Sequence, residues 1–292
     1  MLRRILNGMH LHHRIERGGD LRLRGLIRFG GLALGLASAA ASLSAGDRAG
    51  GGESFRLLAL DGRAAVRWRV PAQGLPAAVT YAFVTESRSF PGARNCDAMQ
   101  PPSAALTRSG IAEEDFRREV RAAFDLWEKA ADIRFQETAS TADAGILIGA
   151  DAKTRGRAFT NVTLADSVPA GPQRGGDVGA IRQALICLNP AQPWKIGFDG
   201  DLAVYDLRFT MTHEIGHAIG LDHPGPEGQL MSFRYVERSR ELQAGDLAGA
   251  AALYGRNGAP PNVETRLGAA EKLKDPAKEA GSSLGLSEAP AR

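Results

Sequence analysis

Residues 213–223 constrain this chain more than any other stretch, because their three histidines are spaced to suit one metal ion. They read His-Glu-Ile-Gly-His-Ala-Ile-Gly-Leu-Asp-His. Positions i and i+4 of a helix share a face, so His213 and His217 can direct two imidazoles at the same ion. Gly220 can adopt the left-handed conformation that ends a helix, which lets the chain bend and return His223 as a third ligand.

These residue types predict a catalytic zinc site rather than a structural one. Three nitrogen ligands leave a tetrahedral zinc one open position for water, whereas structural zinc is usually closed by four ligands that often include cysteines. Glu214 follows His213 by about 100° around the helix, so it can reach that water as a general base without being a ligand. The alternative is a polar helix face with solvated histidines. Against it, the chain has six histidines, and the three outside the motif all lie before residue 14.

The motif and the downstream sequence Leu230-Met231-Ser232 resemble the metzincin clan of zinc endopeptidases. Within that clan the wording is most similar to the matrixins, the matrix metalloproteinase family, in a secreted, bacterial-like form. Phe233 stands where astacins and serralysins bring a tyrosine to the metal. The resemblance implies that Met231 is the Met-turn residue under the zinc site and that Tyr235 helps to wall the primary specificity pocket. Without the motif, Met231 would be read as a core residue.

The resemblance also implies the fold and the activity. The fold is α+β: a twisted, mostly parallel sheet with one antiparallel edge strand, packed with two long helices, and a C-terminal helix. One zinc ion on His213, His217 and His223 would activate water, with Glu214 as the general base, in a monomeric metalloendopeptidase that hydrolyses protein or peptide substrates. The alternatives are a non-catalytic zinc-containing binding protein of the same fold, or an enzyme restricted to one processing substrate.

Hydrophobic patterning places the secondary structure around the motif. The strongest amphipathic pattern predicts a helix over residues 111–131. Further elements are predicted as strands at 79–85, 145–150 and 184–188 and helices at 202–221 and 244–255. Residues 158–164 are the candidate for the antiparallel edge strand that hydrogen-bonds an extended substrate, and a plain edge strand is the alternative.

The N-terminal region has the features of a secretory signal. Seven arginines and two acidic residues fall in residues 1–45, whereas the rest of the chain has slightly more acidic than basic residues, so the net charge of +3 does not favour a nucleic-acid partner. The arginines precede an uncharged run, residues 29–45, that ends in small side chains. We therefore expect residues 1–45 to be a signal peptide of a secreted protein, extracellular or periplasmic. An uncleaved N-terminal anchor is the alternative, and only then would the protein be attached to a membrane.

Amino-acid composition sets the remaining domain boundaries. Residues 46–75 are predicted to be a linker or N-terminal segment, with a short strand or hairpin within 55–70. The catalytic domain is predicted over residues 76–257, and the Pro-, Ala- and Lys-rich residues 258–292 are predicted to be a disordered tail.

Two cysteines, Cys96 and Cys187, form an even pair. In an exported protein such a pair more often forms a disulfide than stays free, so we predict a bridge between them. Many matrixins instead carry a propeptide cysteine that caps the zinc, but Cys96 lacks the surrounding pattern. Two unpaired thiols are the remaining alternative.

A second metal is suggested by one loop. Gly175-Gly176-Asp177 is similar to the start of the calcium and structural-zinc loop of vertebrate-type matrixins, but Val178 and Gly179 replace the histidines that would follow. We therefore expect no second zinc. Asp177, Asp199 and Asp201 could bind calcium through oxygen, although loop aspartates are more often turn residues.

Overall fold

A computed structural model describes residues 54–71, 75–151, 153, 156–165 and 178–258. The predicted signal peptide, nearly all of the predicted tail and Gly175 to Asp177 lie outside these ranges. Within them, no helix combines the length and apolar character needed to cross a membrane.

The fold is built on a six-stranded sheet. Its strands are β2 (Ala65–Arg67), β3 (Ala77–Phe83), β6 (Ile133–Glu137), β7 (Ile146–Ala150), β8 (Ala158–Leu164) and β9 (Val178–Leu188). Five of them run parallel in the order β2-β9-β7-β3-β6, and β8 pairs antiparallel with β9. Every residue of β7 is buried, as its continuous apolar run predicts for a parallel strand. The mostly parallel sheet with an antiparallel edge confirms the predicted fold class.

Three helices pack against this sheet or against one another: α2 (Glu113–Ala130), α3 (Leu207–Ala218) and α4 (Ala244–Tyr254). A short α1 (Ser103–Leu106) precedes α2. The amphipathic face of α2 buries Phe116, Val120, Phe124 and Trp127 completely, and the Trp127 indole N–H donates to the Thr212 carbonyl of α3 at 2.9 Å. The two longest helices are thus joined by both packing and a buried hydrogen bond.

Six two-residue strands form small ladders outside the main sheet. They are β1 (Arg56–Leu57), β4 (Arg88–Ser89), β5 (Ala98–Met99), β10 (Trp194–Lys195), β11 (Tyr205–Asp206) and β12 (Leu221–Asp222), paired as β1 with β12, β4 with β5 and β10 with β11. Two of these ladders adjoin α3: the β10–β11 ladder, because β11 directly precedes the helix, and the β1–β12 ladder, because β12 follows it.

The segment before residue 76 is packed more closely than its sequence suggests. Its two strands do not form a hairpin with each other, since β1 pairs with β12 and β2 with β9. Val66 and Trp68 are buried, and the Trp68 indole N–H donates to the Ala218 carbonyl at the end of α3, at 2.9 Å. These apolar side chains complete the core, so the described residues 54–71 belong to the same packed unit as the predicted catalytic domain.

Gly220 makes the turn after α3, and no other residue type fits there. Its φ is +106°, and an added Cβ would lie 2.0 Å from the Val66 carbonyl oxygen of β2. The substitution Gly220→Ala therefore combines backbone strain with a collision against main chain that is fixed in the sheet. We expect it to cost at least about 3 kcal/mol of unfolding free energy, or about 6–12 °C in melting temperature.

Gly197 offers a matched control, because its φ is also +106° but an added Cβ would meet nothing within 4 Å. Gly197→Ala should carry only the strain, about 1–2 kcal/mol. Thermal melts of the two variants separate the strain from the collision. Equal melting temperatures would contradict the close approach of β2 to this turn.

A disulfide joins Cys96 to Cys187 of β9, across 91 residues of chain. It holds the loop of residues 90–97 against β8, where the Arg94 amide also donates to the Asn161 side-chain oxygen at 2.9 Å. Closing so long a loop restricts the unfolded chain, so reduction should lower the unfolding free energy by about 2–4 kcal/mol. Denaturant titrations with and without reductant test this, and the double variant Cys96→Ala/Cys187→Ala should not respond to reductant. An oxidised protein that is no more stable than the reduced one would contradict this role.

Candidate metal centre

Helix α3 brings two of the predicted ligands to one face of a fixed core element. It begins at Leu207, later than the start at residue 202 predicted from sequence, because the buried Asp206 carboxylate caps it by accepting the Phe209 amide at 2.8 Å. The same carboxylate pairs with the guanidinium of Arg240. Most of the helix is buried, including His213 and its neighbour Glu214.

The third histidine returns through the turn at Gly220 and strand β12. Leu57 and Arg56 of β1 pair antiparallel with Leu221 and Asp222 of β12, and the Arg56 guanidinium lies 3.1 Å from the Asp222 carboxylate. That ion pair is exposed on the arginine side and contributes little by itself. The backbone ladder of β1 and β12 fixes Asp222, the residue that precedes His223.

The three imidazoles converge on a single point. His223 Nε2 lies 3.0 Å from His213 Nε2 and 3.1 Å from His217 Nε2. Zinc bound tetrahedrally at about 2.0–2.1 Å from each nitrogen would set such nitrogens about 3.3 Å apart. Among the described residues, these histidines form the group of three or more side chains that could hold a metal ion.

The outer nitrogens fix the tautomers that metal binding requires. His213 Nδ1 lies 2.9 Å from the Leu230 carbonyl and His217 Nδ1 lies 2.8 Å from the Leu221 carbonyl. A carbonyl can only accept, so both Nδ1 atoms carry the proton and both Nε2 atoms present lone pairs. The lone pairs of His213 and His217 both face Nε2 of His223, which can donate at most one proton to one of them, whereas a single zinc ion would bind all three nitrogens, so the residues fit a zinc ion.

Burial keeps the rings of His213 and His223 neutral, as ligands must be. Desolvation, with the nearby His217, lowers the pKa of His213 to about 3. Desolvation and the two other histidines lower the pKa of His223 to about 2. Both rings therefore remain unprotonated at neutral pH, with lone pairs available to a metal.

Glu214 shares a cavity of about 500 Å³ with the three histidines. Residues 158–162 of the edge strand form one wall, and residues from the N-terminal segment, among them Leu58 and Leu60, form another. The Thr160 hydroxyl lies 2.7 Å from Glu214 Oε2. Burial raises the pKa of Glu214, while the nearby His217 and this hydrogen bond oppose the rise.

Comparison with known proteins decides the family. A family model described as Matrixin (Peptidase_M10) matches residues 104–255, just over half of the 292 residues. The chain belongs to the matrixin family. Matrixins are zinc-dependent metalloendopeptidases, which agrees with the predicted resemblance and with a histidine triad that can bind a metal.

Individual relatives come from plants, animals and viruses. Metalloendoproteinase 1-MMP of Arabidopsis thaliana is 29% identical over 180 residues, which cover 58% of this chain and 44% of that protein. Probable matrix metalloproteinase 095L of Invertebrate iridescent virus 3 is 30% identical over 141 residues, or 45% and 35% of the two chains. Matrix metalloproteinase-16 of Mus musculus is 27% identical over 161 residues, or 50% and 24%. The matrixin thus spans less than half the length of the curated relatives that it matches.

Met231 of this matrixin lies directly beneath the motif helix. A Cβ added to Gly216, between the two helical histidines, would lie 2.2 Å from the Met231 sulfur, so the glycine permits the close approach. The turn itself is held by the Asp246 carboxylate at the start of α4, which accepts the amides of Leu230 and Met231 at 2.8 and 3.0 Å. Met231 therefore packs against the helix that carries His213 and His217, and its role as a Met-turn residue stays a prediction.

Tyr235 is buried among aromatic and polar groups near the N-terminus of α3. Its ring stacks on Tyr205 at 4.0 Å, and its hydroxyl donates to Glu237 Oε1 at 2.8 Å and accepts from the Asp206 amide at 3.0 Å. It is 4% exposed and does not line the described cavity. The structure therefore gives it an anchoring position beside the N-terminus of α3, and its part in a specificity pocket stays a prediction.

Phe233 is the more accessible aromatic near the metal ligands. It is 44% exposed, and its ring centre lies 6.3 Å from that of His223. Phe233 is apolar and so cannot coordinate a metal, in keeping with the three-histidine ligand set.

Two of the predicted calcium ligands, Asp199 and Asp201, lie in the described ranges, and their carboxylates contact other groups of the protein. Asp199 pairs with Lys195 and accepts the Asp201 amide at 2.9 Å. Asp201 accepts the Ala203 amide at 2.9 Å. These are the contacts of turn residues, and Asp177 lies outside the described ranges, so calcium binding stays a prediction.

Sequence reasoning missed two contacts of the site. Thr160 and Glu214 are 54 residues apart, and nothing in a strand sequence indicates which hydroxyl faces a carboxylate. The pairing of β1 with β12 was missed because a two-residue strand carries no periodicity. Trp68 itself was the available sequence signal, since a tryptophan in a predicted linker indicates packing.

Proposed function

We propose that this matrixin is a secreted endopeptidase that hydrolyses internal peptide bonds of protein substrates. The observation that supports it most is the convergence of three Nε2 atoms on one point, in a cavity that also contains a buried glutamate. His213, His217 and His223 would hold zinc. Zinc in such a site supplies a polarised carbonyl and a water of lowered pKa, about 7.

Glu214 performs the proton transfers in this proposal. It takes a proton from the attacking water and then donates it to the nitrogen of the leaving amine as the C–N bond breaks. Burial raises the pKa of Glu214, which favours uptake of the proton that it later donates. Its position one residue after a ligand places it at the cavity without coordinating the metal.

Strand β8 would bind the substrate main chain. Within the described part of the chain it pairs only with β9, which leaves its other edge toward the cavity that residues 158–162 line. An extended peptide can add to such an edge through main-chain hydrogen bonds, and these demand little of the peptide sequence. Side-chain selectivity would then come from the cavity walls.

Hydrolysis of a mixed peptide library tests the proposal. The zinc-loaded protein should cut within peptides, and mass spectrometry should show one new amine and one new carboxylate per cut. A chelator should abolish cleavage, and one equivalent of zinc should restore it. Tight zinc binding without cleavage of the library or of unfolded proteins would instead favour a non-catalytic binding protein.

Export rests on the sequence of residues 1–45 and is proposed with the function. The N-terminus of protein recovered from the producing cells should lie after residue 40 and before the first described residue, Ser54. An intact N-terminus in a membrane fraction would favour the anchor instead.

A further inference from the structure

We infer that Thr160 is a positioning residue for Glu214, so that the edge strand which would bind substrate also orients the proposed general base. The inference rests on the proposed function. It starts from the hydroxyl of Thr160, which lies 2.7 Å from Glu214 Oε2 and 3.0 Å from the Glu214 carbonyl oxygen.

A threonine hydroxyl has one proton, so it can donate fully to only one of these two acceptors. The carboxylate oxygen is the nearer acceptor, and when ionised it is also the stronger one. The proton therefore goes to Oε2. Glu214 is buried, and a buried carboxylate gains more from such a hydrogen bond than an exposed one would.

The hydrogen bond from Thr160 fixes Oε2 of Glu214 and leaves Oε1 to accept the proton of the attacking water. Within the described ranges Oε1 of Glu214 has no hydrogen-bond partner, and the residue borders the cavity. The terminal torsion of a glutamate is broad and poorly fixed by its own rotamer preferences. A donor on Oε2 restricts that torsion and directs Oε1 to one position.

Thr160 is well suited to this because both its backbone and its side-chain torsion are restricted. Its backbone lies within the ladder of β8 and β9, opposite Ile186, and its β-branched side chain is stiff about χ1. The orientation of Glu214 is thus set by the sheet as well as by its own helix. A substrate strand added to β8 would lie next to Thr160, the residue that orients Glu214.

Two substitutions at residue 160 separate the hydroxyl from the shape of the side chain. Thr160→Val keeps the branched shape and removes the donor, and Thr160→Ser keeps the donor. We expect Thr160→Val to lower kcat about 10- to 100-fold with KM changed less than twofold, because misplacing a catalytic group by about 1 Å costs that much. Thr160→Ser should keep kcat within about threefold of the parental value.

Thr80→Val provides the matched control in another strand of the same sheet, since Thr80 does not line the cavity and its hydroxyl donates to the Asp143 carbonyl at 2.9 Å. It should leave kcat within twofold of the parental value. The inference is overturned if Thr160→Val retains kcat within twofold, if Thr160→Ser loses as much as Thr160→Val, or if the loss appears mainly in KM.

A crystal structure of the zinc-loaded Thr160→Val variant gives a readout that does not depend on activity. The Glu214 carboxylate should rotate or adopt two conformers, whereas a carboxylate unchanged from the parental position overturns the inference. If the parental protein hydrolyses no peptide, the proposed function fails, and the crystal structures still decide whether Thr160 orients Glu214.

Discussion

Replacing Glu214 with glutamine is expected to lower kcat by about 10²- to 10⁴-fold while the zinc content stays at one ion per chain. The amide has the shape of the carboxylate but cannot accept the proton of water, and general-base catalysis contributes an effect of that size. Since Glu214 is not among the converging ligands, the metal should remain. Steady-state kinetics on a fluorogenic peptide, with metal analysis of the same preparation, measure both quantities.

Glu86→Gln is the control for that experiment. Glu86 is exposed and follows β3 at a distance from the cavity, so this variant should keep the parental kcat. A Glu214→Gln protein that cleaves peptides at the parental rate would show that another group takes the proton. Loss of zinc from the same variant would show instead that the carboxylate helps to hold the metal.

Replacing His217 with alanine is expected to remove both the zinc and the activity. If a binding free energy of about 10–16 kcal/mol is shared among the three histidines, the loss of one removes about 3 kcal/mol or more and weakens zinc affinity by at least about 100-fold. The two remaining nitrogens, on His213 and His223, cannot complete a tetrahedral site. Competition with a chromophoric chelator measures the affinity, and hydrolysis at saturating zinc measures what activity remains.

Thr210→Ala, on the same helix, is the control for the loss of His217. Thr210 is buried and its hydroxyl donates only to the Asp206 carbonyl of its own helix, at 2.9 Å, so this variant should keep the parental zinc affinity. Unchanged zinc affinity after His217→Ala would contradict the assignment of His217 as a ligand.

The convergence of the three histidines could be predicted from the sequence because the relevant geometry is local. His213 and His217 are one helical turn apart, and the turn to His223 is dictated by a glycine that cannot be replaced without strain. The sheet and the long helix α2 were likewise predictable, since continuous and amphipathic apolar patterns report burial directly.

The contacts that complete the site come from distant parts of the chain and could not be predicted. The Thr160 hydroxyl meets Glu214 only because β8 pairs with β9 in one register beside α3. The ladder of β1 and β12 pairs Arg56 with Asp222, the residue before His223, although the two are far apart in the sequence. Tyr235 was assigned to a pocket wall by its spacing from Met231, but spacing does not tell which way a side chain points from an irregular loop.

The central claim is that three imidazoles from one helix and the following turn bind a single zinc ion. X-ray absorption at the zinc K-edge of the protein with one equivalent of zinc tests it most directly. We expect three imidazole nitrogens and one further light atom at about 2.0–2.1 Å from the zinc. A spectrum with fewer than three imidazoles, or with a sulfur ligand at about 2.3 Å, would contradict it.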